Sequence, residues 1–300
     1  MVTISIIIAI YNDEPFLQRC MDCVLKQTYR DFELICVNDG STDKTLEMLK
    51  NYQNEDSRII IASTSNYNAG HARNLGLSIS RGKYLLFLDA DDFFEKDMLK
   101  CSINAIQESE SDICVFRSNT YDYSGNKFID TPWTIDRTLL PRNVFSPKDV
   151  SRNIFKLFVG WAWDKLLSRD LIIDNDLEFQ EQRTTNDMYF VFMAIVLSKK
   201  ICVIDNVLVH HQRGYTSLSN TREKSWTCFI NALRAIRKSL EENKLYDEYR
   251  CDFINYALHA ILWNLNSLKQ PQQPYIRFLH MQQYHHHSPC SVLLLLPSGY

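Results

Sequence analysis

The densest chemistry in this 300-residue chain is Asp89-Ala90-Asp91-Asp92, three carboxylates that follow the apolar run Lys83 to Leu88. Like charges this close take up a proton or surround a cation, and hard oxygen ligands with open positions suit Mg²⁺ or Mn²⁺ bridging to phosphate. A divalent ion with a diphosphate is the preferred reading. An acidic cap on the following helix explains one carboxylate, Asp92, but hardly three. Two further apolar runs end in polar clusters, Tyr11-Asn12-Asp13-Glu14 and Asn38-Asp39-Gly40-Ser41-Thr42-Asp43. Each alone reads equally well as turn and cap chemistry. Three together read as one acidic rim.

The elements behind these clusters explain why they share a rim. From Ile4 to Phe116 short β-branched or apolar runs alternate with longer amphipathic segments, the pattern of strands joined by crossover helices. Strands are expected over Thr3 to Ile10, Phe32 to Val37, Arg58 to Ser63, Lys83 to Leu88 and Ile113 to Arg117. Helices are expected over Pro15 to Lys26, Thr42 to Tyr52, Ala69 to Ile79 and Lys96 to Glu108. Pro15 suits a first helical turn, and Ser41 and Thr42 offer N-cap oxygens to the second helix. The result is a mostly parallel sheet, which binds ligands beyond the carboxyl ends of its strands.

After Ser118 the alternation breaks into an aromatic, Asn/Asp/Pro-containing stretch, Tyr121 to Pro147, and does not resume. Downstream lie a Trp-rich segment (Gly160 to Leu167), a helix near Thr185 to Lys199, a strand over Ile201 to His210, and helices over Lys224 to Glu242 and Leu245 to Leu268. Phe229, Leu233, Ile236 and Leu240 share one helical face, which favours docking on the body over membrane contact.

Composition narrows the function classes. An apolar fraction of 45% with 23% charged residues supports a real core. A net charge of −3 without a block of Lys and Arg makes nucleic acid an unlikely partner. Nine cysteines without framework spacing read as reduced thiols. The apolar start at Ile4 to Ile10 and the run Val292 to Leu296 fall far short of the ~20 residues needed to span a membrane, and neither reads as a secretion signal. A C-x-x-C at Cys20 and Cys23 lies inside a helix and lacks a second pair for zinc, and His285-His286-His287 lacks ligand geometry. No dinucleotide fingerprint or P-loop is present. A haloacid-type phosphatase carries its Asp-x-Asp after the first strand, not the fourth.

Four ordered motifs carry a resemblance: Ile4-Ser5-Ile6-Ile7-Ile8-Ala9-Ile10-Tyr11-Asn12, Val37-Asn38-Asp39-Gly40-Ser41-Thr42-Asp43, Asn68-Ala69-Gly70-His71-Ala72-Arg73-Asn74 and Phe87-Leu88-Asp89-Ala90-Asp91-Asp92. In type and spacing they resemble glycosyltransferase family 2. Weaker similarity continues through Ala162-Trp163-Asp164-Lys165-Leu166, Asn186-Asp187 and Arg213-Gly214-Tyr215-Thr216-Ser217. The resemblance implies an α/β GT-A fold, with a Rossmann-like, mostly parallel sheet flanked by helices and a helical C-terminal extension. Residues 1–118 would form the nucleotide-sugar-binding half, 119–220 the acceptor-binding and catalytic half, and 221–300 the extension.

It also implies inverting transfer of a sugar from a nucleotide diphosphate donor, usually a uridine one, to a saccharide or lipid-linked saccharide hydroxyl in surface polysaccharide assembly. Asp39 would bond the base, Ala9 and Tyr11 would wall the nucleotide, and Arg73 would reach it. Asp89 would meet the ribose side, and Asp91 would hold the Mn²⁺ or Mg²⁺. From the residues alone Asp187 reads as a helix cap or first-turn acid. Its match to the family's Glu-Asp motif makes it the base that takes the acceptor proton. Asn186 departs from the Glu usual there.

Arg213 precedes a segment, Gly214 to Ser219, suited to a lid over the diphosphate, whereas His210 and His211 read as an ordinary strand end. Trp161 and Trp163 suit either stacking on an acceptor sugar or buried packing, and with Asn186 they are the weaker acceptor candidates. The expected location is cytoplasmic, free or at the inner membrane face, and the C-terminal helices are where a second copy would dock. A nucleotidyltransferase is the alternative enzyme, although Tyr11 to Glu14 lacks the glycine-rich basic loop it would show. A non-catalytic nucleotide-sugar-binding subunit is the other alternative.

Overall fold

The computed structural model describes residues 2–150, 152–213 and 225–266. The first half follows the expected alternation: β1 (Ile4–Ile10), α1 (Glu14–Leu25), β2 (Phe32–Asn38), α2 (Thr45–Glu55), β3 (Ile59–Ser63), α3 (Ala69–Ile79) and β4 (Tyr84–Asp89). Then come β5 (Phe93–Phe94), α4 (Met98–Ser109), β6 (Ile113–Asp122), β7 (Lys127–Asp130), β8 (Val144–Phe145), α5 (Ile154–Leu157), β9 (Lys165–Ser168), α6 (Arg169–Asp174), α7 (Met188–Leu197) and β10 (Ile201–Arg213). Two helices follow, α8 (Trp226–Glu242) and α9 (Tyr246–Asn266).

Among the described residues one sheet of ten strands runs β3-β2-β1-β4-β9-β6-β10-β5, with β7 beside β6 and β8 beside β10. The pairs β1–β2, β2–β3, β1–β4 and β6–β10 are parallel. Strand period 2 divides the core: Ile4, Ile6 and Ile8 pack with α1 and α4 on one face, whereas Ile7, Ile35 and Phe87 pack with α3, α7, α8 and α9 on the other. Pro15 sits in the first turn of α1, as its missing N–H allows. Helix α7 is apolar all round because sheet and C-terminal helices enclose it. Leu233, Ile236 and Leu240 of α8 are fully buried in this core, with Phe229 beside them. That face packs on the body, as the sequence favours.

The strand–helix alternation does break after Ser118, but the sheet continues: β6 runs on to Asp122, β7 pairs with it, β8 pairs with β10, and β9 then enters the middle of the sheet. This strand lies antiparallel between β4 and β6 and joins the two halves of the sheet. Four residues buried on both faces carry no readable period. Strand β10 absorbs two register shifts between Ile204 and Val209 and then runs three residues past its expected end in regular register, pairing His211 with Thr120 and Arg213 with Asp122. The cysteines among the described residues are all free.

Candidate active site

Register places the site. Ala9 pairs with Val37 on one side and Asp89 on the other, so β1, β2 and β4 end at one level. Tyr11 is exposed beyond β1, and its hydroxyl accepts from Asn66 Nδ2 at 3.2 Å. Asp39 is buried beyond β2, and its carboxylate accepts from the Tyr67 N–H at 2.9 Å.

The loops between these strands lock together. The Asn12 N–H donates to Ser41 Oγ at 3.0 Å, and the Thr42 N–H returns to Asn12 Oδ1 at 2.8 Å. Ser41 and Thr42 therefore do not cap α2, which starts at Thr45 and takes a bond from the Thr45 N–H to Asp43 Oδ1 instead. Asp13 sits inside this lock. Burial pushes its carboxyl up to about 6, and nearby Asp89 and Asp43 push the same way.

Arg73, buried on α3, joins the rim to the second half. One guanidinium nitrogen donates to Asp89 Oδ1 at 2.5 Å and another to Asn186 Oδ1 at 2.6 Å. Asn186 is thus buried beneath Arg73, and its backbone carbonyl accepts from the Gln180 N–H at 3.0 Å. The loop carrying Gln180 lies so close to α3 that a Cβ on Gly70 would stand 2.1 Å from the Gln180 carbonyl oxygen.

Asp187 follows at the N-cap position of α7, but its carboxylate makes no capping bond. Burial pushes its pKa up to about 6. The Arg73 cation opposes this rise, and the Asp89 anion adds to it.

Asp89, Asp91 and Asp92 each offer an oxygen, all within 4.8 Å of one another. An all-carboxylate set at this spacing fits a hard divalent cation. Part of the repulsion is already met by side chains, Arg73 on Asp89 and His211 on Asp92. Asp92 does not cap α4, whose N-cap position is Asp97. It is 1% exposed and accepts from His211 Nδ1 at 3.0 Å and from the Gln212 N–H at 2.8 Å, tying the turn after β4 to β10. Burial alone would lower the His211 pKa, and the Asp92 carboxylate overrides it and raises it. Asp91 lines a cavity of about 230 Å³ with Arg19, Asp92, Tyr123 and Gln212.

Trp163 is 5% exposed, stacked on Trp161 at 4.7 Å and on the His211 ring at 5.6 Å. Its surface is spent on packing. Trp161 keeps some exposure, and exposed Trp133 meets it edge-on at 5.4 Å. Arg213 is exposed at the end of β10, and the Gly214 to Ser219 segment and His285 to His287 lie outside the described residues. His211, read from the sequence with His210 as an ordinary strand end, is instead the residue that holds Asp92 on the rim.

Known proteins bear directly on this arrangement. The family model described as glycosyl transferase family 2 matches residues 5–170. A poly(ribitol-phosphate) beta-glucosyltransferase of Bacillus spizizenii is 30% identical over 207 residues, covering 67% of this chain and 30% of its own length. In structure the chain resembles TarS of S. aureus in complex with UDP, with TM-score 0.67 and 22% identity over 92% of this chain and 78% of that one. It also resembles the mannosyltransferase PcManGT of Pyrobaculum calidifontis in complex with GDP-Man and Mn²⁺, with TM-score 0.59 and 13% identity over 97% of this chain and 83% of that one. Both likenesses are of fold, the GT-A type with its mostly parallel sheet. Among the described residues no helix is long and apolar enough to cross a membrane. With the family model spanning more than half its length, this chain belongs to glycosyl transferase family 2 and is a glycosyltransferase.

Proposed function

We propose that this enzyme transfers a sugar, with inversion, from a UDP-sugar to a hydroxyl of a saccharide or lipid-linked saccharide during cell-surface polysaccharide assembly. The observation that carries the reading is the Arg73 bridge, which ties the Asp89 rim to Asn186, the residue before Asp187. A relative named for beta-glucosyl transfer to poly(ribitol phosphate) supports a polymer acceptor, and a β-linkage made from an α-linked nucleotide sugar is inversion. The complexes of TarS with UDP and of PcManGT with GDP-Man support a nucleotide-linked donor.

In this reading residues 1–118 bind the donor, 119–220 supply base and acceptor contacts, and 221–300 form the extension. Asp39 bonds the base, while Ala9 and Tyr11 wall the nucleotide. Asp89, oriented by Arg73, faces the ribose. Asp91 would hold Mn²⁺ or Mg²⁺, with Asp89 and Asp92 beside it, and a bound cation would neutralise charge on the departing diphosphate. Arg213 adds a positive charge to the same group. Asp187 takes the proton from the acceptor hydroxyl as its oxygen bonds the anomeric carbon and the bond to the diphosphate oxygen breaks. Trp161, with Trp133, offers an aromatic face to the acceptor sugar.

A panel of UDP- and GDP-sugars, scored for released nucleoside diphosphate with Mn²⁺ or Mg²⁺ and with EDTA, tests the assignment. Release from a UDP-sugar that EDTA abolishes is expected; release indifferent to the chelator contradicts the metal role of Asp91. The pH dependence is a second check. Asp187 works as a base only when ionised, and its pKa lies near 6. The kcat/KM profile is therefore flat above that value and falls as pH drops through about 6, whereas an unperturbed aspartate would carry the limb down to about 4.

A further inference from the structure

One buried ion pair touches neither donor nor acceptor in this reading, although the Lys165 cation counters part of the rise in the Asp187 pKa. Lys165 and Asp164 have side chains 0% and 1% exposed, with Nζ and Oδ1 2.5 Å apart. The Lys165 ammonium also donates to the Val159 carbonyl at 3.0 Å and the Trp161 carbonyl at 2.8 Å, which uses its three protons. The other Asp164 oxygen is buried without a hydrogen-bond partner. Removing two charges from water often costs as much as such a pair returns, and apolar residues of similar volume commonly pack as well, so a buried pair is weak evidence of a role in stability. The geometry indicates what the pair holds instead.

Between the two clamped carbonyls lies Gly160, pressed on the first turns of α7. A Cβ there would stand 3.1 Å from Phe192 Cε2 and 3.6 Å from Met188 Cα, the residue next to Asp187. The same short loop carries Trp161 and Trp163, whose stack continues to His211 and through it to Asp92. One ammonium thus fixes a loop that touches the helix of the base at one point and the acidic rim at another.

We propose that Lys165 is a positioning residue: by clamping the 159–163 loop it sets the spacing between Asp187 and the donor rim. The kinetic arm of this proposal rests on Asp187 being the base, and the spectroscopic arm does not.

The test is Lys165→Met in the full chain, with folding checked by circular dichroism. Three quantities are compared with the parent: UDP affinity by calorimetry with Mn²⁺, kcat and KM for the UDP-sugar that the panel selects, and acrylamide quenching of tryptophan fluorescence. Expected are unchanged UDP affinity and donor KM, a kcat lower by about 100-fold as the base shifts by an ångström or so, and stronger quenching as Trp161 and Trp163 lose their packing. A folded Lys165→Met enzyme with parental kcat overturns the proposal. Should Lys165→Met fail to fold, Lys165→Gln takes its place, because a neutral amide keeps a donor for one loop carbonyl and removes the ammonium that holds both. A lower kcat at parental UDP affinity then supports the clamp, and a parental kcat with parental quenching overturns it. If Asp187→Asn retains turnover, the base assignment has failed separately. Quenching then decides: increased quenching in Lys165→Met supports the clamp, and parental quenching overturns it.

Discussion

Replacing Asp187 with asparagine is expected to lower kcat by about 10²–10⁴-fold, the range for loss of a general base, while UDP binding persists. The substitution keeps the shape and removes the only function the carboxylate has in this reading. Asp187 makes no capping bond to α7, so the helix loses no hydrogen bond by the change. Burial and Asp89 disfavour its charge, as the pKa near 6 records, so a neutral amide at this position relieves the folded state at neutral pH. The melting temperature of Asp187→Asn at pH 7 should equal or exceed the parental value. Calorimetry with UDP and Mn²⁺, turnover and a thermal melt together separate the outcomes. Transfer that survives the substitution removes Asp187 from the mechanism, and a lost melting transition assigns it to structure.

Arg73→Met carries the second large effect, and here stability and activity fall together. The substitution leaves Asp89 without its cation and Asn186 Oδ1 without its donor. Breaking a fully buried pair costs about 3–5 kcal/mol. With the Asp89 side chain 30% exposed, water recovers part of that. A loss of about 2–3 kcal/mol is therefore expected by urea denaturation. The loop of Asp187 loses its tie to α3 as well, so kcat falls along with UDP affinity. Arg73→Lys separates charge from geometry, because one ammonium restores the cation near Asp89 but not the planar fork that serves two acceptors. Full activity in Arg73→Lys would show that charge alone suffices and that the bridge is dispensable.

Much of the first half was legible because its signals are local. Ile4 to Ile10 and Phe32 to Val37 are apolar runs bounded by Asn, Asp and Gly, and a strand buried on both faces needs nothing more to be recognised. The rim followed from that: once strands end at Ile10, Asn38 and Asp89, the acidic loops must share one edge. The contacts that turn a rim into a cleft were not legible. Arg73 meets Asn186 across 113 positions, and His211 meets Asp92 across 119, through pairings that only the completed sheet creates. Asp92 shows the cost. Its place before a helix suggested a cap, yet β10, pinned to β6 by ten register pairs, brings His211 within reach and takes the carboxylate. Lys165 was similarly opaque, since a lysine in a Trp-rich run carries no sign that its ammonium will be sealed inside.

The placement of β9 also governs how a newly made chain reaches this fold. Strands β3, β2, β1 and β4 are complete by Asp89, but the partner for the free side of β4 is not synthesised until Lys165–Ser168. Throughout that interval on the ribosome the nascent sheet displays an unpaired, apolar edge containing Leu85 and Leu86, the kind of template that recruits other chains. Truncations ending between residues 90 and 164 should therefore aggregate, and slow translation of that interval should increase the need for chaperones.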